Sequence, residues 1–170
     1  MKKLVVFTMC SLLTVLASQS LTAQTLSDCA RTELQDPARI VYQCAGGITL
    51  EAEAATALGI TERTADERPT DAELSSDGLY VEVTPGSGPF QIRTPHAIAA
   101  VRGTVYVVDV TTTMTAVFVR RGEVSVSHAG SSEEVVLTPG LGVDVVPGEP
   151  LVTRRWPAER VENLLQRFGR

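Results

Sequence analysis

The stretch FQIRTPHAIAAVRGTVYVVDV, residues 90–110, decides the fold class of this chain. Its first four residues are a short extended segment, and the apolar, β-branched run over 97–110 is the longest strand-like segment in the sequence. Gly103 lies inside that run, where a glycine indicates a bulge or the close approach of another backbone. We therefore expect a β-rich domain in which a side chain would not fit at position 103.

Further short strands flank this stretch on both sides, and glycine turns separate them. In the clearest case valines alternate with serines over residues 124–127, which is the period of two expected for a half-buried strand. This spacing predicts an all-β fold over residues 78–152, either a compact β-roll or solenoid-like domain or a β-sandwich. The other predicted strands are 79–83, 114–119, 123–127, 134–137 and 143–146.

The N-terminus, residues 1–23, has the three parts of a secretory signal peptide. Lys2 and Lys3 precede an apolar run over residues 4–16, and small or polar residues follow. The run is short for a permanent membrane-spanning helix. We expect cleavage near Ala23, with cleavage after Ser20 as the alternative. The product would be a periplasmic protein without stable membrane insertion.

Residues 24–60 form an N-terminal segment that contains Cys29 and Cys44. An even number of cysteines in an exported chain indicates a disulfide, and their spacing matches no C-x-x-C redox motif. We predict one disulfide between them. Strand, turn and strand are expected up to residue 50, while residues 51–58 read equally as a short helix or a continuing strand. The acidic stretch 61–77 is expected to be a surface loop.

The last segment, residues 153–170, has the pattern of a short amphipathic helix. Pro157 suits its first turn, and large apolar residues recur at helical spacing behind it. We favour packing of this stripe on the chain's own β domain. The alternative is that the stripe contacts a partner protein. Its members are Trp156, Val161, Leu164, Leu165 and Phe168.

Composition narrows the class of function. The chain has 170 residues, a formal net charge of −5, 44% hydrophobic and 21% charged residues, which is ordinary for a globular domain and unlike a disordered chain. After export the only basic side chains besides histidine are arginines, and acids outnumber them. Binding to nucleic acid through bulk charge is therefore not expected.

The sequence contains no recognisable catalytic or metal-binding constellation. His96 follows a Thr-Pro pair and His128 ends a valine-serine segment, and neither has a partner motif for nucleophilic catalysis. We interpret His96 as a turn residue that hydrogen-bonds locally and His128 as an exposed strand end. Two histidines and a disulfide supply no metal cluster, so we expect no enzyme activity, no cofactor and no metal.

The segment TPHAIAAVRGT resembles the signature of the FecR domain family, in which a T-P-x-A-x-x-A-V-R-G-T motif opens a run of β-strands. The turns around Gly122 and Gly140 are similar to later elements of that family, so the resemblance covers about 79–146. It implies an exported, non-enzymatic signalling or interaction domain. The motif residues, for which we expect structural roles, are Thr94, Pro95, Ala100, Val101, Arg102, Gly103, Thr104, Gly122 and Gly140.

Arg102 is the one motif residue with two interpretations. We favour a buried guanidinium that pairs with backbone carbonyls or with an acid such as Asp109. The alternative is an arginine that reads a ligand.

The function that follows from the sequence is binding. We expect a periplasmic FecR-domain protein that serves as a protein adaptor or sensor in envelope signalling, with an envelope protein as its partner. The alternative is a module that binds a small ligand or an envelope polysaccharide, although the chain is only 5% aromatic and offers few stacking platforms. A hydrolase with an unrecognised site is a third hypothesis.

Overall fold

The structure is a computed structural model that describes residues 29–62 and 68–170, so the predicted signal peptide lies outside the described residues. Short strands follow one another through most of this part of the chain, and one helix comes near its end. The elements are β1 (Ala30–Gln35), β2 (Ala38–Cys44), β3 (Ile48–Glu53), β4 (Leu58–Glu62), β5 (Pro69–Leu74), β6 (Asp77–Val83), β7 (Phe90–Arg93), β8 (Ala97–Val101), β9 (Val105–Val110), β10 (Thr115–Arg121), β11 (Val124–His128), β12 (Glu134–Leu137), β13 (Leu141–Val145), β14 (Arg154–Arg155) and α1 (Ala158–Gln166).

The strands form two sheets. The large sheet has the order β1-β2-β3-β6-β9-β10-β13-β14, and the small sheet has the order β12-β11-β8-β7-β5-β4. Neighbouring strands are antiparallel except β5 and β7, which are parallel. The prediction of an all-β fold with a short C-terminal helix is confirmed.

One core of buried side chains lies between the two sheets. Of the two predicted architectures, a β-roll or solenoid-like domain and a β-sandwich, the structure is therefore the sandwich. The inward positions alternate along each strand, as in β9, where Tyr106 and Val108 face the small sheet. The small sheet contributes Phe90, Ile92, Val124 and Val126, all of them nearly inaccessible to solvent. We call these facing sides the inner faces and the opposite sides the outer faces.

The apolar run 97–110 is not one strand, which corrects the prediction. Its first part is β8 in the small sheet and its second part is β9 in the large sheet. The chain changes sheets at residues 102–104, where Gly103 has a φ of 76° that a side chain would disfavour. Composition did not reveal the break because both halves are predominantly apolar.

The prediction of an acidic surface loop over 61–77 is also wrong in part. β4 ends at Glu62, and β5 places Ala72 and Leu74 in the core. The acids hid this strand because they occupy the alternate outer-face positions, Asp71 and Glu73. Residues 51–58 contain no helix, and the alternative of a continuing strand is correct only up to Glu53, because a turn follows over 54–57 before β4 begins at Leu58.

Helix α1 and Trp156 cover the outer face of the large sheet and form a second core there. Leu164 and Phe168 are buried against β6, β9 and β10, and Phe118 stacks on Trp156 with ring centroids 5.2 Å apart. This agrees with the favoured interpretation of self-packing. The five residues of the stripe pack on the chain's own sheet, and contact of this helix with a partner stays a prediction: Trp156, Val161, Leu164, Leu165 and Phe168.

Cys29 and Cys44 form a disulfide with their Cα atoms 4.1 Å apart. The bond joins the residue before β1 to the last residue of β2, and all six residues of β1 pair with β2. In residues 29–62 and 68–170 no helix has the length and apolar character needed to cross a membrane.

Candidate functional site

The family-like motif is concentrated at one end of the sandwich, which we call the corner end. Four connections pass from one sheet to the other there: β6 to β7, β8 to β9, β10 to β11 and β12 to β13. Gly103, Gly122 and Gly140 lie in three of these connections, each with a positive φ. The motif therefore builds the edge at which the chain repeatedly changes sheets.

The corners are packed so closely that two of them admit only glycine. A Cβ on Gly103 would lie 2.7 Å from the Cα of Pro85, in the neighbouring corner. A Cβ on Gly122 would lie 2.8 Å from the carbonyl oxygen of Gly103 and would also overlap Thr104. The predicted close approach at Gly103 is confirmed, although it occurs in a turn and not within a strand.

Buried hydrogen-bonding groups continue from the corner into the core. The carbonyl oxygen of Thr104 accepts a hydrogen bond from the Val83 N–H at 2.8 Å. The Thr104 and Tyr106 hydroxyls are buried and have no hydrogen-bond partner in the described part of the chain. Burial raises the pKa of Tyr106, so its phenol stays neutral and acts as part of the core.

Thr94 and Pro95 lie at the opposite end of the sandwich from the rest of the motif. The Thr94 hydroxyl accepts a hydrogen bond from the Ala97 N–H at 2.8 Å and lies 2.8 Å from the hydroxyl of Thr115, which is buried in the other sheet. The fold therefore places the two parts of the motif at opposite ends of the sandwich, and the Thr94 hydroxyl links the β7–β8 turn to β10.

The two histidines have separate local partners. The backbone N–H of His96 donates to the Thr94 hydroxyl, and its Nδ1 lies 3.1 Å from the Thr115 hydroxyl. Nε2 of His128 donates to the carbonyl oxygen of Glu149 at 2.9 Å. These contacts match the predicted structural role of His96, and they place His128 against the loop that follows β13.

An open groove of about 550 Å³ lies beside the corner end, on the outer face of the small sheet. Its floor is a row of four residues that are in register across β7, β8, β11 and β12: Gln91, Ala100, Ser125 and Val136. Arg102 and Glu123 stand at its corner end. The side chains of the row are small or of medium size, which is why the sheet surface is open at this point.

Arg102 is exposed, and this corrects the prediction of a buried guanidinium. It makes no hydrogen bond or ion pair with any residue in the described ranges. Asp109, its suggested partner, is bound instead by Arg167 at 2.8 Å. The physical reason is alternation, because Val101 points into the core and the next residue, at the turn, points outward.

The outer face of the large sheet carries a cluster of ion pairs that the sequence analysis missed. Arg167 binds both Glu53 and Asp109, and the Gly78 N–H donates to Glu53 at 2.7 Å. Burial alone would raise the pKa of Glu53, but the hydrogen bonds from Arg167 and Gly78 outweigh it and hold this pKa below its usual range. The hydrogen bonds that Arg167 donates to Glu53 and Asp109 raise the pKa of Arg167. These contacts fasten the end of α1 to the sheet.

A second set of pairs lies next to the first. Glu51 accepts hydrogen bonds from Arg170 at 2.5 Å and from Arg39 at 3.2 Å. Burial raises the pKa of Glu51, but Arg170 and Arg39 outweigh that effect and lower it overall. The guanidinium of Arg170 also lies 3.9 Å from the ring centroid of Tyr80. The alternating acids of β3 were visible in the sequence, but nothing local indicated partners more than a hundred residues away.

The described residues offer binding surfaces and little chemistry. Across residues 29–62 and 68–170 no three histidine, cysteine, aspartate or glutamate side chains come together in a way that would hold a metal ion. The one aromatic residue that lines the groove is Phe90, which is 1% exposed and faces the core. Within the described residues, the groove can therefore offer hydrogen bonds, the exposed guanidinium of Arg102 and an apolar contact at Val136, but no exposed ring on which a sugar would stack.

Comparison with known proteins gives one family match and a fold match. The sequence model of the family described as FecR protein matches residues 30–125, which run from β1 into β11. Two crystal structures, each described as a "putative anti-sigma factor" from Parabacteroides distasonis, share the fold at TM-scores of 0.56 and 0.51, with 19% and 24% sequence identity. Each alignment covers 82% of this chain and 61% of the solved chain, so this chain spans about three fifths of those proteins. No curated protein matches the chain.

Proposed function

The chain belongs to the FecR protein family, whose members are signalling-related regulators, and from this premise we propose that it acts without catalysis, by binding a protein partner in the periplasm. The groove at the corner end would be the contact surface. The partner would be a protein of the cell envelope whose state the chain senses or relays.

The observation that carries this proposal is the exposed Arg102 at the end of an open groove. An arginine that has no partner in the described part of the chain keeps its hydrogen-bond donors for another molecule, and a guanidinium can bind a carboxylate through two parallel hydrogen bonds. The adjacent Val136 is 52% exposed, which adds an apolar contact of the kind found in protein interfaces.

The rest of the surface supports the same choice. The outer face of the large sheet is already occupied by α1, while the outer face of the small sheet has no such cover among the described elements. The glycine corners next to the groove hold Arg102 on a rigid frame, because their packing leaves little room for movement. A preorganised surface of this kind favours protein binding, since less conformational entropy is lost when the partner arrives.

The test is site-specific photocrosslinking in cells. A photoreactive amino acid at Ser125 in the groove is expected to give one discrete protein adduct, and the same group at the exposed Glu162 of α1 is the control position. Arg102→Ala should remove the adduct, while Arg121→Ala, which changes another exposed arginine at the corner end, should leave it intact. Equal adducts at both positions, or an adduct that persists in Arg102→Ala, would contradict the proposed contact surface.

The compartment is tested separately. If residues 1–23 are a signal peptide, the protein isolated from a periplasmic fraction should begin near Gln24 when its N-terminus is sequenced. Recovery of the whole chain from the cytosol with Met1 in place would contradict the periplasmic part of the proposal.

A further inference from the structure

Strand β1 differs in its surroundings from every other strand except the two-residue β14. All six of its residues are exposed, and none belongs to either hydrophobic core. Among the described strands it pairs only with β2 and forms one edge of the large sheet. Its outward row of backbone N–H and C=O groups is therefore open to pairing with another strand.

The other edges in the described part of the chain are blunted in ways that β1 is not. β14 has two residues and β12 has four, and β4 carries an irregularity between Thr61 and Glu62. Short length and bulges are features that protect a sheet edge from pairing with a second chain. By contrast, β1 has six residues in unbroken register with β2, and the disulfide between Cys29 and Cys44 holds its first end in place.

The sequence of β1 is complementary to itself. Arg31 and Glu33 lie on the same side of the strand, and their side chains are about half exposed and 2.7 Å apart. When two copies of β1 are placed antiparallel with Thr32 opposite Thr32, each Arg31 faces the Glu33 of the other copy. Leu34, which is 36% exposed, then faces Ala30. Opposite charges in facing positions stabilise a strand pair, whereas the register centred on Glu33 would place like charges together.

We propose that β1 is a dimerisation strand whose occupant is a second copy of this chain, paired antiparallel about Thr32. The two large sheets then form one continuous sheet across a twofold axis, in which each contact occurs twice. The interface is small because it rests on one strand from each copy, so the dimer is expected to form at micromolar or higher concentrations. This inference does not depend on the groove or on the proposed partner.

Analytical ultracentrifugation of the purified, oxidised protein tests the inference. The wild type should shift from monomer to dimer over micromolar to millimolar concentrations. Glu33→Arg should weaken the dimer by roughly tenfold or more, because two attractive pairs become repulsive. The exchange Arg31→Glu with Glu33→Arg should restore it, since the opposite charges again face each other. Glu134→Arg on edge strand β12 is the matched control and should leave dimerisation unchanged.

Any of three results would overturn the inference. The wild type could remain monomeric at all concentrations, Glu33→Arg could leave the dimer as strong as before, or the double exchange could dimerise no more tightly than Glu33→Arg alone. A distance measurement covers the case in which a charge variant perturbs the hairpin. A nitroxide label on Thr32→Cys should give a short distance between the two copies, because position 32 lies on the twofold axis. A label at Ser131, between β11 and β12, should give a longer one, and the absence of a short distance at position 32 would also refute the pairing.

Discussion

Gly103 lies against the backbone of Pro85, so closely that a Cβ on the glycine would come within 2.7 Å of the Pro85 Cα. The two residues belong to different connections between the sheets, and their contact fixes the spacing of the corner end. The φ of 76° at Gly103 adds a second reason why this position needs glycine.

Replacing this glycine should destabilise the whole domain. We expect Gly103→Ala to lower the free energy of unfolding by about 3 kcal/mol, since it combines left-handed strain with overpacking against a backbone. Gly86→Ala is the matched control, because Gly86 also has a positive φ, 86°, but nothing lies within 4 Å of its added Cβ. Its cost should be about 1 kcal/mol. Urea unfolding measures both, and equal costs would show that the approach to Pro85 relaxes freely.

The ion pairs of Glu53 should make stability depend on pH. Because the folded-state pKa of Glu53 is lowered, its contribution is fully present above the ordinary glutamate pKa of about 4.3 and is lost as pH falls from there towards the folded-state value. Glu53→Gln should therefore flatten the decline of the urea midpoint below about pH 5. Glu82→Gln, which removes an exposed pair with Arg121, should keep the wild-type profile. If the urea midpoint of Glu53→Gln falls as steeply with pH as that of the wild type, other groups cause the loss of stability in acid.

The disulfide should act locally on β1. In the chain-entropy description a bridge with this separation contributes about 3 kcal/mol, and β1 has no core contacts to compensate for its loss. Replacing Cys29 and Cys44 with serine should accelerate hydrogen exchange of the β1 amides by roughly a hundredfold. Amides of β9, which lies inside both cores, should change little. Equal acceleration in β1 and β9 would mean that the bridge supports the entire domain.

The end of α1 should be as important for stability as the core between the sheets. Phe168 is fully buried and lies against Tyr80 with ring centroids 5.9 Å apart, so Phe168→Ala should cost about 3–5 kcal/mol. Leu165 is half-buried, and Leu165→Ala should cost less. Gln166→Ala, at an exposed position, should stay within about 0.5 kcal/mol of the wild type. Thermal or urea unfolding provides the measurement, and a small effect of Phe168→Ala would show that α1 is dispensable.

Much of the fold follows from local sequence patterns. Valine-serine alternation at 124–127 predicts a strand, and β11 lies there. Residues 90–93 and 134–137 are strands with the predicted bounds. β5 was not predicted because the acidic residues on its outer face made the segment resemble a polar loop, although two of its apolar residues point inward. β1 was not predicted because none of its side chains is buried, and a strand without a buried face shows no alternation of apolar and polar residues in the sequence.

The candidate site was less accessible to sequence reasoning. Gln91 and Ser125 were visible as the polar alternates of their strands, but only the pairing register shows that they share one row with Ala100 and Val136. Arg102 was recognised as the notable motif residue, while its exposure depended on the direction in which the turn presents it. The motif itself pointed to glycine contacts without indicating which backbone would approach.

By itself, the sequence determined the properties that depend on neighbours along the chain: strand periodicity, glycine turns, the cysteine pair and the apolar stripe of the helix. The tertiary structure alone decided that residues 97–101 and 105–110 enter different sheets and that Arg167 pairs with Asp109 and Glu53. It also decided that α1 covers the outer face of the large sheet, while no described element covers the outer face of the small sheet. The physical reason is that hydrogen-bond and hydrophobic preferences act over a few residues, whereas the choice between distant partners depends on how complete sheets pack against each other.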